Sequence, residues 1–303
     1  MSKRKRAYLL LLINALVWGA FLPIVKWGFN ESEITPFRFL FYRLALAALL
    51  SIPIIKYYWP KLKQKSQTVW RISALEMLGT TLALAFLYAG LQQGSALETN
   101  FLASALPVFI VVGGVLFLGE KLHRQEKWGL LLAFIGTVVL VSEPLWQGQD
   151  RQAGSLLANL FVVIYNILTA AYLLLAKKYY RKLPKFFVTS ISFVVGSLSF
   201  ALLSLWEMGF DYLALLSTIG QELSSPGVAI VVLYAAVFGS LVGLTTYIKG
   251  QDGIEASEAG LFNYLQPAVY IPLGVLLLGE QLWWWQLAAL GVIIYGVYLA
   301  SKR

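Results

Sequence analysis

The sequence predicts an all-α membrane protein with ten transmembrane helices, arranged as two inverted five-helix repeats with both termini cytoplasmic. Three observations carry this prediction: the apolar composition, the placement of the basic residues and an internal repeat. Hydrophobic residues make up 59% of the 303 residues and charged residues 13%, with a mean hydropathy of +0.71. A soluble domain cannot bury that many apolar side chains, so the bilayer must solvate them.

Ten apolar runs separated by short polar breaks predict the helices. About 20 apolar residues span a bilayer as a helix, and runs without alternation of period two exclude barrel strands. The basic N-terminus resembles a secretory signal, but its apolar run is long enough to be an uncleaved first span. A short helix along the membrane interface is predicted over 211–220. The predicted spans are 7–28, 36–58, 69–91, 97–118, 127–142, 155–176, 186–206, 227–248, 257–278 and 283–301.

The basic residues predict the orientation of these spans. With the N-terminus inside, 20 of the 24 Lys and Arg residues fall on the cytoplasmic side, where membrane proteins favour them. A shift by one span would destroy this bias. The net charge of +9 therefore indicates orientation rather than a nucleic-acid partner.

An internal repeat divides the chain. Residues 107–122 align with residues 267–282 at an offset of 160, with eight of sixteen positions identical, and the same offset pairs Glu98 with Glu258. The predicted halves are residues 1–146 and residues 152–303. Because five is odd, the second half enters the membrane upside down. Inverted repeats favour alternating access around a site near the midplane, although dimerisation alone or a membrane enzyme would also fit.

Several short motifs of this chain resemble the EamA-type branch of the drug/metabolite transporter superfamily. In the first half they are Trp18-Gly19 with Lys26, and Pro36 with Arg43; Gly-Glu-x-Leu occurs at 119–122 and 279–282. In the second half Lys177 stands where Lys26 does, but Thr169 and Ile191 replace the Trp and the Arg. The resemblance covers the whole chain. It implies a ten-helix secondary transporter, often an exporter of amino acids or other small metabolites.

Ionisable residues at membrane depth are the strongest functional candidates, because each costs about 2.5–3.5 kcal/mol at the bilayer centre. Glu76 lies about 10 Å inside the third span. It is a candidate proton acceptor or countercharge, or else a packing contact. Arg43 lies at similar depth in the second span, where a structural pairing is the alternative. Glu98 and Glu258 begin the fourth and ninth spans, where they either cap the helix or act as gate residues.

Neutral polar and aromatic side chains form stripes at helical spacing on the first, fourth, sixth and ninth spans. Any one stripe can be contact between helices, but four repeat-related stripes together favour a cavity lining. The substrate-binding candidates on these stripes and beside Glu76 are Asn14, Trp18, Thr80, Ser104, Tyr165, Asn166, Thr169, Asn263, Gln266 and Tyr270.

What is missing from the sequence narrows the function. The chain has no cysteine and the single histidine His123, so thiolate sites and multi-histidine metal centres are excluded. It has no Walker sequence and no hydrolase or metalloprotease motif. An enzyme is not expected, nor is a cofactor or a metal site, and transport must draw on an ion or substrate gradient.

We therefore expect a secondary active transporter, and an exporter, of a small zwitterionic or neutral metabolite, with amino acids as the first choice. It would act in the inner or plasma membrane as a monomer or homodimer. Its partners would be the small-molecule substrate, protons and the lipid bilayer, and no nucleic acid. One alternative is a flippase or choline-type carrier with an aromatic cage. The alternative from another class is a non-transporting membrane scaffold or an intramembrane enzyme.

Overall fold

The computed structural model describes residues 2–30, 34–62, 65–93, 102–103, 106–119, 122–141, 153–278 and 284–301. These residues form a helical bundle, and the first five long helices are α1 to α5. Their bounds are Lys3–Asn30 for α1, Pro36–Tyr58 for α2, 65–93 for α3, Leu106–Leu118 for α4 and Arg124–Val141 for α5. Thr35 is the N-cap residue of α2, since its side chain accepts a hydrogen bond from the Arg38 backbone N–H at 3.3 Å.

The last five long helices are α6 to α10. Their bounds are Ala153–Tyr179 for α6, Lys185–Glu207 for α7, 226–251 for α8, 256–278 for α9 and Trp284–Ser301 for α10. A short connecting helix, Tyr212–Ser224, precedes α8. Asp211 caps it by accepting hydrogen bonds from the backbone N–H groups of Leu213 and Ala214, both at 3.0 Å. The helix predicted at this place is therefore present.

Seven of the described helices are long and apolar enough to cross a membrane. They are Lys3–Val25, Pro36–Lys61, Ser66–Gly90, Leu160–Tyr179, Lys185–Glu207, Pro226–Gln251 and Glu258–Leu278. The shorter described helices α4, α5 and α10 lie at the three remaining predicted positions. Many apolar side chains lie on the outer surface of the bundle, such as Phe117, which is 80% exposed, and Leu276, which is 78% exposed. Lipid is the solvent that accommodates such a surface.

Helices that occupy equivalent positions in the two halves of the chain contact each other. α2 packs on α7, α4 on α9, and α5 on α10, while the contact of α3 with α6 is repeated by that of α8 with α1. At the α5–α10 contact, a Cβ atom on Gly136 would lie 2.7 Å from Ile293, and one on Gly296 would lie 2.9 Å from the backbone of Ala133. These residues are related by the 160-residue offset, so the contact is reciprocal.

Two of the helices, α3 and α8, change their winding midway. Met77–Leu82 in α3 and Ala235–Leu244 in α8 are π-helical, with hydrogen bonds from residue i to i+5. The offset of 160 superposes these two segments, matching Gly79 with Gly239. Such segments widen a helix locally and are frequent at functional sites.

Two apolar core clusters lie one above the other along the bundle. The first contains Leu11, Ile72 and Phe187, near the end at which α1 begins, called here the N-terminal face. The second contains Val25, Tyr88 and Phe200, which lie about four turns further along the same three helices, towards the opposite face. The level of Trp18 and Phe21 on α1 lies between the two clusters. A central site can therefore be enclosed from both ends.

Candidate functional site

A cavity of about 190 Å³ lies between the two core clusters. Its described lining comes from eight helices, α1 to α4 and α6 to α9, four from each half of the chain. The lining combines aromatic rings and leucine side chains with the hydroxyls of Thr and Ser residues, one amide and one charged group. The aromatic residues are Trp18, Phe21, Tyr88, Tyr165, Tyr172 and Phe193, and the polar residues are Arg43, Thr80, Thr169, Ser192, Ser240 and Gln266.

Arg43 is the charged group of this lining. Its guanidinium lies 4.9 Å from the ring centre of Phe21, within the range of a cation–π contact. The hydroxyl of Tyr88 on α3 is its side-chain hydrogen-bond neighbour. The Arg43 Nε atom is buried and has no hydrogen-bond partner among the described residues. An arginine with donor capacity left over is suited to binding a carboxylate.

Glu76 lies behind the cavity wall and is fully buried, at 0% exposure. Tyr172 and Tyr180 of α6 donate hydrogen bonds to its Oε1 atom, at 3.1 and 2.9 Å. Thr80, one turn later on α3, donates to its Oε2 atom at 2.8 Å and lies 2.8 Å from the Ser192 hydroxyl of α7. Within the described part of the chain, this carboxylate is thus held by hydroxyl groups of three helices rather than by a cation.

The structure brings five of the ten substrate-binding candidates into the cavity lining: Trp18, Thr80, Tyr165, Thr169 and Gln266. Trp18 is fixed by a hydrogen bond from its Nε1 atom to the Gly239 carbonyl at 3.1 Å and by stacking on Tyr247 with ring centres 5.4 Å apart. Gln266 donates to the Asn263 side chain at 3.0 Å. These contacts hold the polar groups in place before any ligand arrives.

Four other candidates lie behind the described lining. Asn14 donates to the Gly243 carbonyl of α8 at 2.8 Å, and Asn166 donates to the Leu102 carbonyl at 2.7 Å. Asn263 supports Gln266, and Tyr270 is 9% exposed on α9. Asn14 and Asn166 act as contacts between helices. The remaining candidate, Ser104, lies outside the described residues.

Of the two predicted gate carboxylates, Glu98 and Glu258, the structure describes Glu258. Glu98 lies outside the described residues, as do Glu120 and Gly279-Glu280 of the repeated motif. Glu258 is 2% exposed and pairs with Arg4 at 2.7 Å, while Tyr8 also donates to it. This group ties the start of α1 to the start of α9 at the N-terminal face. Gly119 ends α4 with a φ of 66°, a conformation that glycine adopts without strain.

A second ion-pair group lies at the opposite face. Arg38 and Tyr42 of α2 contact Glu222 of the connecting helix, with the Arg38 Nη2 to Glu222 Oε1 distance 2.9 Å and the Tyr42 hydroxyl to Glu222 Oε2 distance 2.6 Å. Thr35 donates to Glu207 at 2.8 Å. Each end of the bundle therefore has a polar group that joins the first half of the chain to the second.

Several lining residues are not among the predicted site residues, notably Gly79 on α3 and Gly239-Ser240 on α8. A Cβ atom on Gly79 would lie 2.2 Å from the Tyr172 ring, and one on Gly239 would lie 2.5 Å from the Phe21 ring. A signal for them was present: the 160-residue offset pairs Gly79-Thr80 with Gly239-Ser240. The rings and the hydroxyl positions are thus set by two equivalent π-helical segments.

A bundle of long apolar helices around a central cavity with a few polar groups is typical of a multi-pass membrane transporter. Comparison with known families agrees and is more specific. The model of the EamA-like transporter family matches residues 5–142 and, a second time, residues 156–302. The chain belongs to this family, and with it to the drug/metabolite transporter superfamily.

Individual relatives are similar over their whole length. The Bacillus subtilis (strain 168) protein named "Uncharacterized transporter YcxC" is 26% identical over 96% of this chain and 91% of its own. An Archaeoglobus fulgidus protein named "Uncharacterized transporter" is 23% identical over 98% of this chain and 99% of its own. A solved crystal structure has the same fold, with a TM-score of 0.77 at 17% identity over 98% of this chain and 97% of that chain.

Proposed function

We propose that this transporter moves a small zwitterionic metabolite, with amino acids as the first choice, by alternating access in a secondary, gradient-driven process. In this proposal the chain crosses the inner or plasma membrane ten times with both termini cytoplasmic. Residues 1–146 and 152–303 form inverted repeats that rock against each other, and export is the expected direction. The observation that carries the proposal is the central cavity with Arg43 among aromatic rings, lined from both halves.

The chemistry of the cavity supports a zwitterion. The Arg43 guanidinium offers hydrogen bonds and positive charge to a carboxylate, while the rings of Tyr165, Tyr172 and Trp18 offer apolar area and π faces. Thr80 and Ser192, which border the Glu76 carboxylate, offer oxygen acceptors to an ammonium group. A cavity of about 190 Å³ limits the ligand to a small molecule.

The same cavity disfavours a quaternary-amine carrier. Two like charges 4 Å apart repel each other by about 4 kcal/mol when the effective dielectric constant is near 20. A choline-type cation would meet the Arg43 guanidinium in the same small space. The aromatic rings alone would attract it, but the arginine favours a ligand with an acidic group.

The contacts at the two ends of the bundle also support alternating access. Each of the two core clusters covers the cavity from one end, and each face has its own group of ion pairs between the halves. Opening one face while the other stays closed requires separate contacts at the two ends. A permanently open channel does not need separate contacts at its two faces.

Counterflow in proteoliposomes tests the function. Purified protein is reconstituted in vesicles loaded with an unlabelled amino acid mixture, and uptake of individual labelled amino acids is measured. We expect saturable uptake of at least one of them. The Arg43→Gln variant should bind it roughly 10- to 100-fold more weakly, since hydrogen bonds to charged groups contribute about 1.5–3 kcal/mol.

The matched control is Arg71→Gln, which removes an exposed arginine of α3 and should leave counterflow unchanged. Absence of counterflow for every amino acid would contradict the proposal. Counterflow of choline instead, unaffected by Arg43→Gln, would support the quaternary-amine carrier.

A further inference from the structure

We infer that Glu76 and its hydroxyl cage, Thr80, Tyr172, Tyr180 and Ser192, form a proton-binding site that couples transport to the exchange of one proton per substrate. The inference rests on the proposed function, because it takes the substrate to carry an ammonium group. It adds the driving ion, its binding site and its stoichiometry. The site touches the cavity through Thr80, Tyr172 and Ser192, which belong to both.

The composition of the cage distinguishes a carboxylate that changes its protonation state from one that only serves packing. A buried carboxylate that serves packing alone is normally paired with Lys or Arg, which keeps it ionised. Hydroxyl groups both donate and accept, so they can satisfy the carboxylate and the neutral acid equally. In the ionised state Tyr172, Tyr180 and Thr80 donate to the two oxygens of Glu76.

In the protonated state the hydrogen bonds reverse on one side. The carboxyl O–H on Oε2 donates to the Thr80 hydroxyl, and Thr80 in turn donates to Ser192, whose oxygen lies 2.8 Å away. The tyrosine hydroxyls keep donating to Oε1. The step consists of one proton joining one carboxylate oxygen, and no other bond forms or breaks.

The charges around the cage explain how a substrate would displace the proton. α3 packs on α6 and α7 at this level, and on α2 further along, at residues 83–93. The groups that these helices present are Arg43 of α2 at the cavity, Tyr172 and Tyr180 of α6, and Lys185 of α7, which is paired with Asp252 at 2.9 Å and donates to the Tyr180 carbonyl. A substrate ammonium beside Thr80 and Ser192 would favour the ionised form of Glu76. Substrate binding therefore releases the proton, which is exchange in opposite directions.

A chain of hydroxyl groups also links the cage to the cavity. Its inner end is Tyr180, which is 1% exposed and precedes the exposed Arg181 in sequence. From the Tyr180 hydroxyl the path continues through Glu76 to Thr80 and Ser192 at the cavity, with steps of 2.9, 2.8 and 2.8 Å. Hydroxyls at these distances can pass a proton by successive donation.

The stoichiometry follows from the difference between the halves. At the offset of 160 Glu76 has Ala236 as its counterpart, while Thr80 has Ser240. Phe21 takes the place of Tyr172, because it packs on Gly239 as Tyr172 packs on Gly79. The second half repeats the hydroxyl but has neither the carboxylate nor the phenol. One half binds a proton, so one proton moves per cycle.

The test uses Glu76→Gln in proteoliposomes with the membrane potential clamped to zero by valinomycin and equal potassium. We expect the wild type to accumulate the amino acid found by counterflow about tenfold for each unit of pH difference, as one-to-one exchange requires. Glu76→Gln, which mimics the protonated acid, should lose accumulation, and its counterflow should need a higher substrate concentration than that of the wild type. The control Glu126→Gln removes a buried carboxylate that caps α5 away from the cavity, and it should behave as wild type.

A second measurement follows protons directly. Substrate added to wild-type protein in weak buffer should release up to one proton per molecule, detected with a pH dye, and Tyr180→Phe should slow the release. A wild type that shows counterflow but releases no proton overturns the inference, as does a Glu76→Gln variant that still accumulates substrate. Absence of wild-type counterflow would instead contradict the proposed function. Because the wild-type proton count needs no variant, poor folding of Glu76→Gln cannot obscure the result.

Discussion

Asn14 and Asn166 are buried amides that each donate a hydrogen bond to a main-chain carbonyl outside their own helix. The sequence predicts their depth, but it cannot predict their partner. On a helix each residue turns by about 100°, so small changes in rotation move a side chain from a cavity to a neighbouring helix. Trp18, one turn after Asn14, lines the cavity, whereas Asn14 holds α8.

We expect Asn14→Ala to lower stability rather than substrate affinity. It removes the hydrogen bond to the Gly243 carbonyl, which Thr246 still satisfies at 2.9 Å. The loss should be about 1 kcal/mol, within the range measured for hydrogen bonds between membrane helices. The melting temperature in detergent and the half-saturation of counterflow provide the measurement. A large rise in half-saturation at unchanged melting temperature would place Asn14 in the binding site.

The positions of the helices follow from the apolar pattern of the sequence, but their local winding does not. Apolar runs correctly predict seven helices that are long and apolar enough to cross a membrane and the connecting helix after Asp211, because local composition and capping suffice for these. The π-helical segments of α3 and α8 could not be predicted in this way. Their winding accompanies contacts with rings of other helices, and those contacts exist only in the assembled bundle.

The close ring contacts make the two π-helical segments sensitive to single methyl groups. Gly239→Ala would bring a Cβ atom to 2.5 Å from Phe21, so the ring must move into the cavity. We expect a lower melting temperature and weaker counterflow, both partly restored by adding Phe21→Leu. Gly220→Ala is the control, since nothing lies within 4 Å of its new atom. It should raise stability by up to about 1 kcal/mol. Unchanged counterflow in Gly239→Ala would show that the segment tolerates the strain.

At the scale of the whole molecule, the two ion-pair groups lie at opposite ends of the same bundle. Arg4 and Glu258 join α1 to α9 at the N-terminal face, and Arg38 and Glu222 join α2 to the connecting helix at the opposite face. The repeat predicts Glu258 as a cap or gate residue. No sequence pattern pairs Arg38 with Glu222, which are 184 residues apart.

Breaking either group should open the corresponding face. The chain has no cysteine, so Ser240→Cys introduces a single reactive group into the cavity lining. With a thiol reagent applied at the opposite face, we expect Arg38→Gln to speed labelling of this cysteine and Arg4→Gln to slow it. Ser224→Cys on the connecting helix reports general access and should react equally in all variants. Equal acceleration by both substitutions would indicate loosened packing rather than gating.

The difference between Glu76 with Tyr172 in one half and Ala236 with Phe21 in the other has a kinetic consequence. Two identical inverted halves would make the inward-open and outward-open states mirror images of equal energy. Unequal halves remove this degeneracy, so under alternating access the resting carrier spends more time facing one side. The half-saturation concentrations on the two sides of the membrane must then differ, while the equilibrium reached still depends only on the gradients.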